Sequence, residues 1–405
     1  MPTPDHLRLR TYEPDNLLWP FVGLLQRHLE RGRYHETRQR KYVAATLHFG
    51  TWLRSKRIAA DRINEAMLEQ FLDDHEGGCP CVRKTRTSTT VMRSGLNNLL
   101  RVLREHDVIP LPALSSVGIE VARLDGMLDQ VWGLSPDTRR QRRNVARRLL
   151  DGAPDGGLTP SYLRAFVLGP DGRKPATIRS LAAAVRCYLR FRSLKGEDVR
   201  HLARAIPTPS FKPAPYLPIG LAPTELDQLL AASALEGRRC KRAHAIVRCL
   251  ADLGMRSREV TRLTLDDIDW AAGIIRVPSG KARRCDVMPL PAATGEAIAD
   301  YLVNERPQTD RRQVFVRHNA PIGEPIGRRA VQRSVQNVYR RLGWDETKIH
   351  ILRHTIASKL VNDAVPMKQV ADVMRHRSVV TTAGYARVDQ NRLSAVALPW
   401  PGANS

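Results

Sequence analysis

The stretch HILRHT, at residues 350–355, places a histidine three positions before an arginine. Residues three apart lie on the same face of an α-helix, so we expect His350 and Arg353 to act on one bound group. The planar guanidinium of arginine makes paired hydrogen bonds to phosphate oxygens, and histidine gains or loses a proton near neutral pH. The stretch therefore predicts a helix with a phosphate-binding face.

A second arginine of the same kind precedes this helix in the sequence. The stretch LGMRSREV, at residues 253–260, contains Arg256, and Glu259 follows one helical step later. A carboxylate at that spacing can hold the guanidinium in place. We therefore expect Glu259 to hold the side chain of Arg256.

The remaining chemical groups lie between and after these two arginines. Two short apolar runs, at residues 273–277 and 285–290, predict a β-hairpin with Lys281 in its turn. His376 follows the predicted helix, and Tyr385 comes nine residues after His376. Together the groups suit phosphodiester exchange, because the arginines neutralise phosphate charge, tyrosine is a nucleophile, and lysine or histidine moves protons. The set predicts a reaction that needs neither a metal ion nor another cofactor.

The overall charge indicates the kind of partner. The chain of 405 residues has 65 Lys and Arg against 41 Asp and Glu, a net charge of +24. This surplus favours a polyanionic partner, most simply nucleic acid. A membrane surface is the rival polyanion, but no run has transmembrane length and the N-terminus lacks a secretion signal. The six cysteines are sparse, which is typical of a reducing compartment.

Proline-rich breaks divide the chain into parts. Residues 206–218 hold five prolines, which exclude a continuous helix and indicate an extended linker. A weaker break lies at residues 109–112. We predict helical core-binding-like DNA-binding modules at residues 1–112 and 113–206, a linker at residues 207–218, and a catalytic domain with a C-terminal tail at residues 219–405.

The two N-terminal parts read as divergent copies of one helical unit. Similar stretches recur in the same order, at residues 37–41 and 138–142, 67–71 and 162–166, and 99–103 and 188–191. A longer loop in the first copy, around residues 75–89, would absorb part of the change in spacing between them. The alternative is that small helical bundles share such patterns by chance.

The C-terminal series resembles the catalytic domain of the tyrosine recombinases, the family of phage integrases and bacterial chromosome-dimer resolvases. The resemblance covers roughly residues 220–390, and its specificity lies in the order of six residues: Arg256, Lys281, His350, Arg353, His376 and Tyr385. It implies a mainly α fold with a small β-hairpin or sheet in the catalytic domain, an α+β arrangement, preceded by helical DNA-binding modules.

The resemblance also implies a role for each residue of the series. Arg256 and Arg353 would clamp the scissile phosphate, and Tyr385 would attack it to give a 3′-phosphotyrosine bond. Lys281 would protonate the departing 5′-oxygen. His350 would assist proton transfer, and His376 would donate a hydrogen bond to the phosphate.

The sequence departs from the family pattern at two positions, and one assignment has a competitor. Arg375 stands where family members commonly have glycine, and Arg258 stands where a small or apolar residue is usual. Neither replaces a catalytic group. Lys281 competes with Lys241, because hairpin length varies in the family.

The implied partners are double-stranded DNA and other recombinase protomers, assembled as a tetramer on paired sites. No membrane partner is expected, and the implied location is the bacterial cytoplasm, in association with the nucleoid. Two other functions remain open. One is a DNA-binding protein with this fold but without catalysis, and the other is a topoisomerase with the related tyrosine mechanism.

One motif has no place in this chemistry. The stretch HEGGCPC, at residues 75–81, offers His75, Cys79 and Cys81 as metal ligands. A structural zinc site needs four ligands, and no partner cysteine pair follows. The sequence alone therefore favours a loop with buried thiols, and no metal site is predicted.

Overall fold

A computed structural model describes most of the chain. The described residues are 15–76, 87–155, 157–170, 172–207, 220–235, 237, 240–278, 285–344 and 348–375. The chain divides into two compact units, one of Met1–Pro110 with Leu217–Ser405 and the other of Leu111–Tyr216. The four-part division at residues 112, 206 and 218 stays a prediction.

Four helices form the first helical group: α1 (Trp19–Arg31), α2 (Glu36–Ser55), α3 (Glu65–Glu76) and α4 (Thr89–Glu105). Helix α2 packs on α1 and α4, and α3 packs on α4. Phe49, Phe71 and Leu96 are fully buried between them. The contact of α2 with α4 depends on Gly95, since a Cβ there would lie 3.0 Å from the ring of Tyr42.

Five helices form the second group: α5 (Ser116–Gln130), α6 (Pro136–Asp151), α7 (Pro160–Leu168), α8 (Pro175–Leu194) and α9 (Arg200–Ala205). Three of them begin with proline, whose fixed φ and missing N–H suit the first turn of a helix. Leu128, Leu149, Leu163 and Val185 are buried in a core that this group forms by itself.

The two groups share one packing order. Helix α6 packs on α5 and α8 as α2 packs on α1 and α4, and α7 packs on α8 as α3 packs on α4. The recurring sequence stretches fall on α2 and α6, on α3 and α7, and on α4 and α8. This agreement supports the hypothesis of internal duplication, since chance similarity of short stretches does not require the same helix contacts.

The C-terminal part surrounds one central helix. Its helices are α10 (Pro223–Ala234), α11 (Cys240–Ala251), α12 (Ser257–Arg262), α13 (Ala292–Asn304), α14 (Arg328–Arg341), α15 (His350–Asn362) and α16 (Met367–Val373). Helix α11 packs against α10, α13, α14 and α15. Ile246, Leu250, Ile298, Val335 and Leu352 are buried in the core that results.

A small antiparallel sheet lies between α12 and α13. Strands β2 (Ile274–Pro278) and β3 (Cys285–Pro289) pair with Ile275 opposite Met288, which confirms the hairpin. Strand β1 (Ile268–Asp269) adds a third member beside β2. The sequence did not reveal β1, because two residues are too short for an alternating pattern. The fold class is thus confirmed as mainly α with a small sheet.

None of the helices in the described part of the chain is both long and apolar enough to cross a bilayer.

Candidate active site

Arg256 stands at the N-terminus of α12, where Glu259 holds it. The backbone N–H of Arg256 donates to Glu259 Oε2 at 2.8 Å, and its Nη1 donates to Oε1 at 2.6 Å. The Glu259 side chain is buried, whereas the Arg256 side chain is 38% exposed to solvent. The expected contact between Glu259 and Arg256 is therefore confirmed, and part of the guanidinium stays open to solvent.

Arg353 lies in the first turns of α15 and is buried. Its Nη1 donates to the carbonyl oxygen of Gly254, and its Nη2 donates to the carbonyl oxygen of Met374. These two bonds tie α15 to the loop before Arg256 and to the end of α16. The folded main chain thus fixes the direction of this guanidinium.

The side chains of Arg256 and Arg353 bind two consecutive carbonyl groups of the main chain. Arg256 Nη2 donates to the carbonyl oxygen of Arg375 at 3.1 Å, next to the Met374 carbonyl that Arg353 binds. Residues 256 and 353 are far apart in the sequence, so only the tertiary fold brings them together. The pair can therefore place two guanidinium groups around one phosphate.

His350 is the first residue of α15 and keeps an exposed edge. Partial burial, followed by the positive charges of Arg353 and Arg256, lowers the pKa of its imidazole below the ordinary value. This lower pKa favours the neutral imidazole, the form that can accept a proton.

A third arginine, Arg375, contacts the same groups that hold Arg256 and Arg353. Arg375 is almost fully buried, and its Nη2 donates to Glu259 Oε2 and to the Gly254 carbonyl, each at 3.0 Å. Its φ of 52° is in the left-handed region that favours glycine, which agrees with the glycine usual at this position. Here an arginine adopts the same backbone conformation, and its side chain turns back to Glu259.

Glu259 therefore serves two guanidinium groups. Burial by itself would raise the pKa of this carboxyl, but Arg375 and Arg256 together hold it below its usual value. Sequence reasoning noted Arg375 only as a departure from the family pattern. Its contact with Glu259 spans more than a hundred positions, so no local signal could have indicated it.

The structure does not describe the other three members of the series. Lys281, His376 and Tyr385 lie outside the described residues. Lys241, the competitor of Lys281, is bound to Asp300 through two contacts of 2.6 and 2.7 Å. This engagement argues against Lys241 as a free proton donor.

Replacing Arg375 by methionine is expected to lower the free energy of unfolding by about 3 kcal/mol, because the buried Glu259 carboxylate loses a charged partner. Since the pKa of Glu259 is depressed in the fold, its contribution is present above the ordinary carboxyl pKa and is lost as pH falls through the lower folded value. Urea denaturation should therefore show a similar loss at about pH 7 and pH 5, and a smaller one below about pH 4.

Arg311→Met is the matched control for this measurement, because Arg311 is paired with Glu324 at 3.0 Å on an exposed surface. Exposed ion pairs contribute little to stability, so this variant should unfold almost as the wild type does. A loss that is equal for both variants, or that is unchanged in acid, contradicts the role given to the Arg375–Glu259 pair.

The residues of this site fall within a recognised sequence family. Residues 220–392 match the model of the phage integrase family. Integrase/recombinase y4rA of Sinorhizobium fredii is 32% identical over 95% of this chain and 93% of its own length. Tyrosine recombinase XerC of Pelobacter propionicus is 30% identical over 64% of this chain and 85% of its own.

Solved structures show the same fold. XerH site-specific recombinase, bound to a palindromic difH substrate after cleavage, superimposes with a TM-score of 0.53 at 18% identity, covering 81% of this chain and 93% of its own. Lambda integrase residues 75–356, bound to DNA, superimpose with a TM-score of 0.51 at 16% identity, covering 71% of this chain and 100% of its own. At these identities the likeness establishes the architecture.

Proposed function

The chain belongs to the phage integrase family of tyrosine recombinases, and from this premise we propose that it is a site-specific DNA recombinase. It cleaves and rejoins DNA strands through a 3′-phosphotyrosine bond, in integration, excision or movement of a mobile element. The observation that carries this proposal is the convergence of Arg256 and Arg353 on the consecutive carbonyl groups of Met374 and Arg375.

The proposed chemistry begins at Tyr385. Its oxygen attacks the scissile phosphorus while its phenolic proton passes to a neighbouring base, for which the neutral imidazole of His350 is suited. The bond from phosphorus to the 5′-oxygen breaks, and Lys281 gives that oxygen a proton. His376 donates a hydrogen bond to the phosphate.

Charge stabilisation is the task of the arginines. Negative charge grows on the phosphate oxygens in the transition state, and Arg256 and Arg353 are fixed in place before the reaction starts. Such preorganised donors cost no reorganisation when the charge appears. The reaction therefore needs no metal ion, and rejoining by the 5′-hydroxyl needs no ATP because the phosphotyrosine keeps the bond energy.

The proposed partners follow from the reaction. Exchange between two duplexes requires four cut strands, so we expect protomers to assemble as a tetramer on paired sites. The two helical groups with basic runs at residues 38–41 and 139–148 are candidates for phosphate contact along double-stranded DNA. The proposed location is the bacterial cytoplasm, in association with the nucleoid.

A basic groove in the C-terminal part is a further candidate for contact with DNA. Its described lining contains no carboxylate. Five arginines line it: Arg242, Arg317, Arg329, Arg333 and Arg341. Arg242 donates to the Val316 carbonyl at 2.8 Å and Arg317 to the Ala320 carbonyl at 2.8 Å, so these two also shape the groove. Arg329 and Arg333 are exposed on α14.

DNA affinity is expected to fall steeply as salt rises, because each neutralised phosphate releases counterions. The double change Arg329→Ala and Arg333→Ala should reduce the slope of log affinity against log salt by about two. Fluorescence anisotropy with a labelled duplex at several salt concentrations measures this slope.

A double change at Arg311 and Arg312 to alanine removes the same charge and serves as the control. Both arginines are paired with carboxylates, Arg311 with Glu324 and Arg312 with Asp266. This control should leave the slope close to the wild-type value. Equal slopes for both double variants, or wild-type binding that barely responds to salt, would contradict the proposal that the groove contacts DNA.

The function itself is tested with a nicked suicide substrate made from inverted repeats that flank the gene. Wild-type protein should become covalently attached to the 3′-phosphate. Binding without attachment favours the non-catalytic alternative. Attachment followed by strand relaxation without exchange between two sites favours the topoisomerase alternative.

A further inference from the structure

Two features of the sequence have no role in the chemistry described so far, the stretch HEGGCPC and Arg375. Cys79 and Cys81 of that stretch lie outside the described residues. Arg375, by contrast, is described together with its contacts, and these contacts connect it to the candidate active site.

The Arg375 side chain is buried between separate segments of the C-terminal part, with only 3% of it exposed to solvent. Its Nη1 lies 3.3 Å from the carbonyl oxygen of Leu253, before α12, and 2.7 Å from the sulfur of Met288 on β3. Its Nη2 donates to Glu259 on α12. Because protein atoms surround this guanidinium, Arg375 is not a third member of the proposed phosphate clamp.

The connection from Arg375 to the proposed reaction runs through one carboxylate. Glu259 accepts from Arg256 at both oxygens, from Nη1 at 2.6 Å and from the backbone N–H at 2.8 Å. Arg375 donates at 3.0 Å to Oε2, the oxygen that also receives this backbone N–H. Loss of Arg375 would therefore disturb the group that anchors both the side chain and the main chain of Arg256.

The charge of Glu259 depends on Arg375. Burial by itself raises the pKa of this carboxyl, and the positive charge of Arg375 is the largest single cause that lowers it. Hydrogen bonds to an ionised acceptor are roughly twice as strong as those to a neutral one. Arg375 thus favours the form of Glu259 that holds Arg256 best.

The main chain of Arg375 provides a second connection. Its carbonyl oxygen accepts from Arg256 Nη2 at 3.1 Å. The side chain of the same residue donates to Glu259 and to the carbonyl oxygen of Gly254, each at 3.0 Å. These side-chain bonds restrain the residue whose carbonyl group directs the Arg256 guanidinium.

We propose that Arg375 is a positioning residue for strand cleavage, which acts through Glu259 on the placement of Arg256. This inference rests on the proposed function, since the placement of Arg256 affects a rate only if a phosphate reacts there. A positioning defect slows the chemical step more than it weakens DNA binding. If Arg375 were only structural, its loss would lower stability and leave the rate of the folded protein unchanged.

Three variants test the proposal: Arg375→Met, Glu259→Gln and the double variant that carries both changes. Single-turnover adduct formation on the nicked suicide substrate, at saturating protein, measures the chemical step. Each single change should slow it by roughly 10- to 100-fold, with duplex affinity close to that of the wild type. The double variant should be no slower than either single one, because both changes interrupt the same connection. Arg311→Met, which removes an exposed ion pair with Glu324, should react as the wild type does.

The double variant separates positioning from stability. It removes both members of the buried pair, so no buried charge is left without its partner, and urea denaturation should show it to be more stable than Arg375→Met. Its cleavage should nevertheless stay slow. Recovery of cleavage together with stability would mean that Arg375 is only structural, and losses that multiply would mean that it does not act through Glu259. Either result overturns the proposal. If one single variant is too unstable to assay, the comparison of the double variant with the other decides in the same way.

The pH dependence gives a readout that a structural role would not move. Loss of Arg375 raises the pKa of Glu259, so the acid limb of the cleavage rate should lie at higher pH in Arg375→Met than in the wild type. Raising the pH should recover part of the rate in this variant and none in Glu259→Gln, which has no carboxyl to ionise. His350 beside Arg256, and Asp286 of β3 beside Arg375, are present in every variant. An unshifted acid limb in Arg375→Met overturns the proposal.

The outcome in the wild type separates this proposal from the proposed function. Wild-type protein that forms no adduct contradicts the recombinase function itself. Adduct formation at equal rates by the wild type and by Arg375→Met contradicts only the role given to Arg375.

Discussion

Replacement of Tyr385 by phenylalanine is expected to abolish the covalent protein–DNA adduct while leaving DNA binding nearly unchanged. Phenylalanine keeps the ring and removes only the oxygen that attacks phosphorus. An unperturbed phenol titrates near pH 10, so the attack at neutral pH depends on the base and the positive charges around it. No other group of the proposed site can replace the lost nucleophile.

The assay follows adduct formation on the nicked suicide substrate, by denaturing gel, in a buffer freed of divalent ions by a chelating resin. Tyr34→Phe is the control, because Tyr34 lies in the first helical group and packs against Tyr42. The control should form adduct as the wild type does. If Tyr385→Phe still forms the adduct, or if the wild type requires magnesium, the mechanism proposed above is wrong.

Replacement of Arg256 by alanine is expected to slow cleavage by roughly 10²–10³-fold, the effect typical of removing one preorganised donor from a developing charge. DNA affinity should change little, since many other phosphate contacts remain. Arg256 suits this test better than Arg353, because its side chain is partly exposed and its loss leaves no large cavity. Single-turnover cleavage at saturating protein measures the rate without the contribution of binding.

Arg262→Ala is the matched control, because Arg262 is an exposed arginine at the other end of the same helix. It removes one positive charge from the same helix but no member of the proposed site. Its cleavage rate should stay near that of the wild type. A comparable loss in both variants would mean that general positive charge, and not the placement of Arg256, accelerates the reaction.

Much of the fold could be predicted from the sequence, because it rests on local patterns. The sequence indicated that the N-terminal parts are helical and that a helix holds residues 350–355, and two apolar runs around a turn indicated the hairpin. Within the site, the contact between Arg256 and Glu259 is also local, since one turn of helix separates them.

What the sequence could not predict depends on contacts between distant positions. Arg375 reaches Glu259 only because the end of α16 lies against the loop before α12. The edge-to-face contact of the His48 ring on α2 with the His75 ring on α3 depends in the same way on the packing of distant residues. A residue that is unusual for its family, such as Arg375, signals that something differs there, but only the fold shows what.

The carbonyl groups that hold Arg353 have an evolutionary consequence. Its two described anchors, at Gly254 and Met374, are main-chain atoms that every amino acid provides. The acceptor at position 374 therefore survives any substitution there, although the fully buried Met374 side chain restricts the position to apolar residues. Position 254, with φ of 55°, is restricted mainly to glycine. Relatives of this protein should thus exchange one apolar side chain for another at the position before Arg375, while retaining glycine two positions before the first arginine.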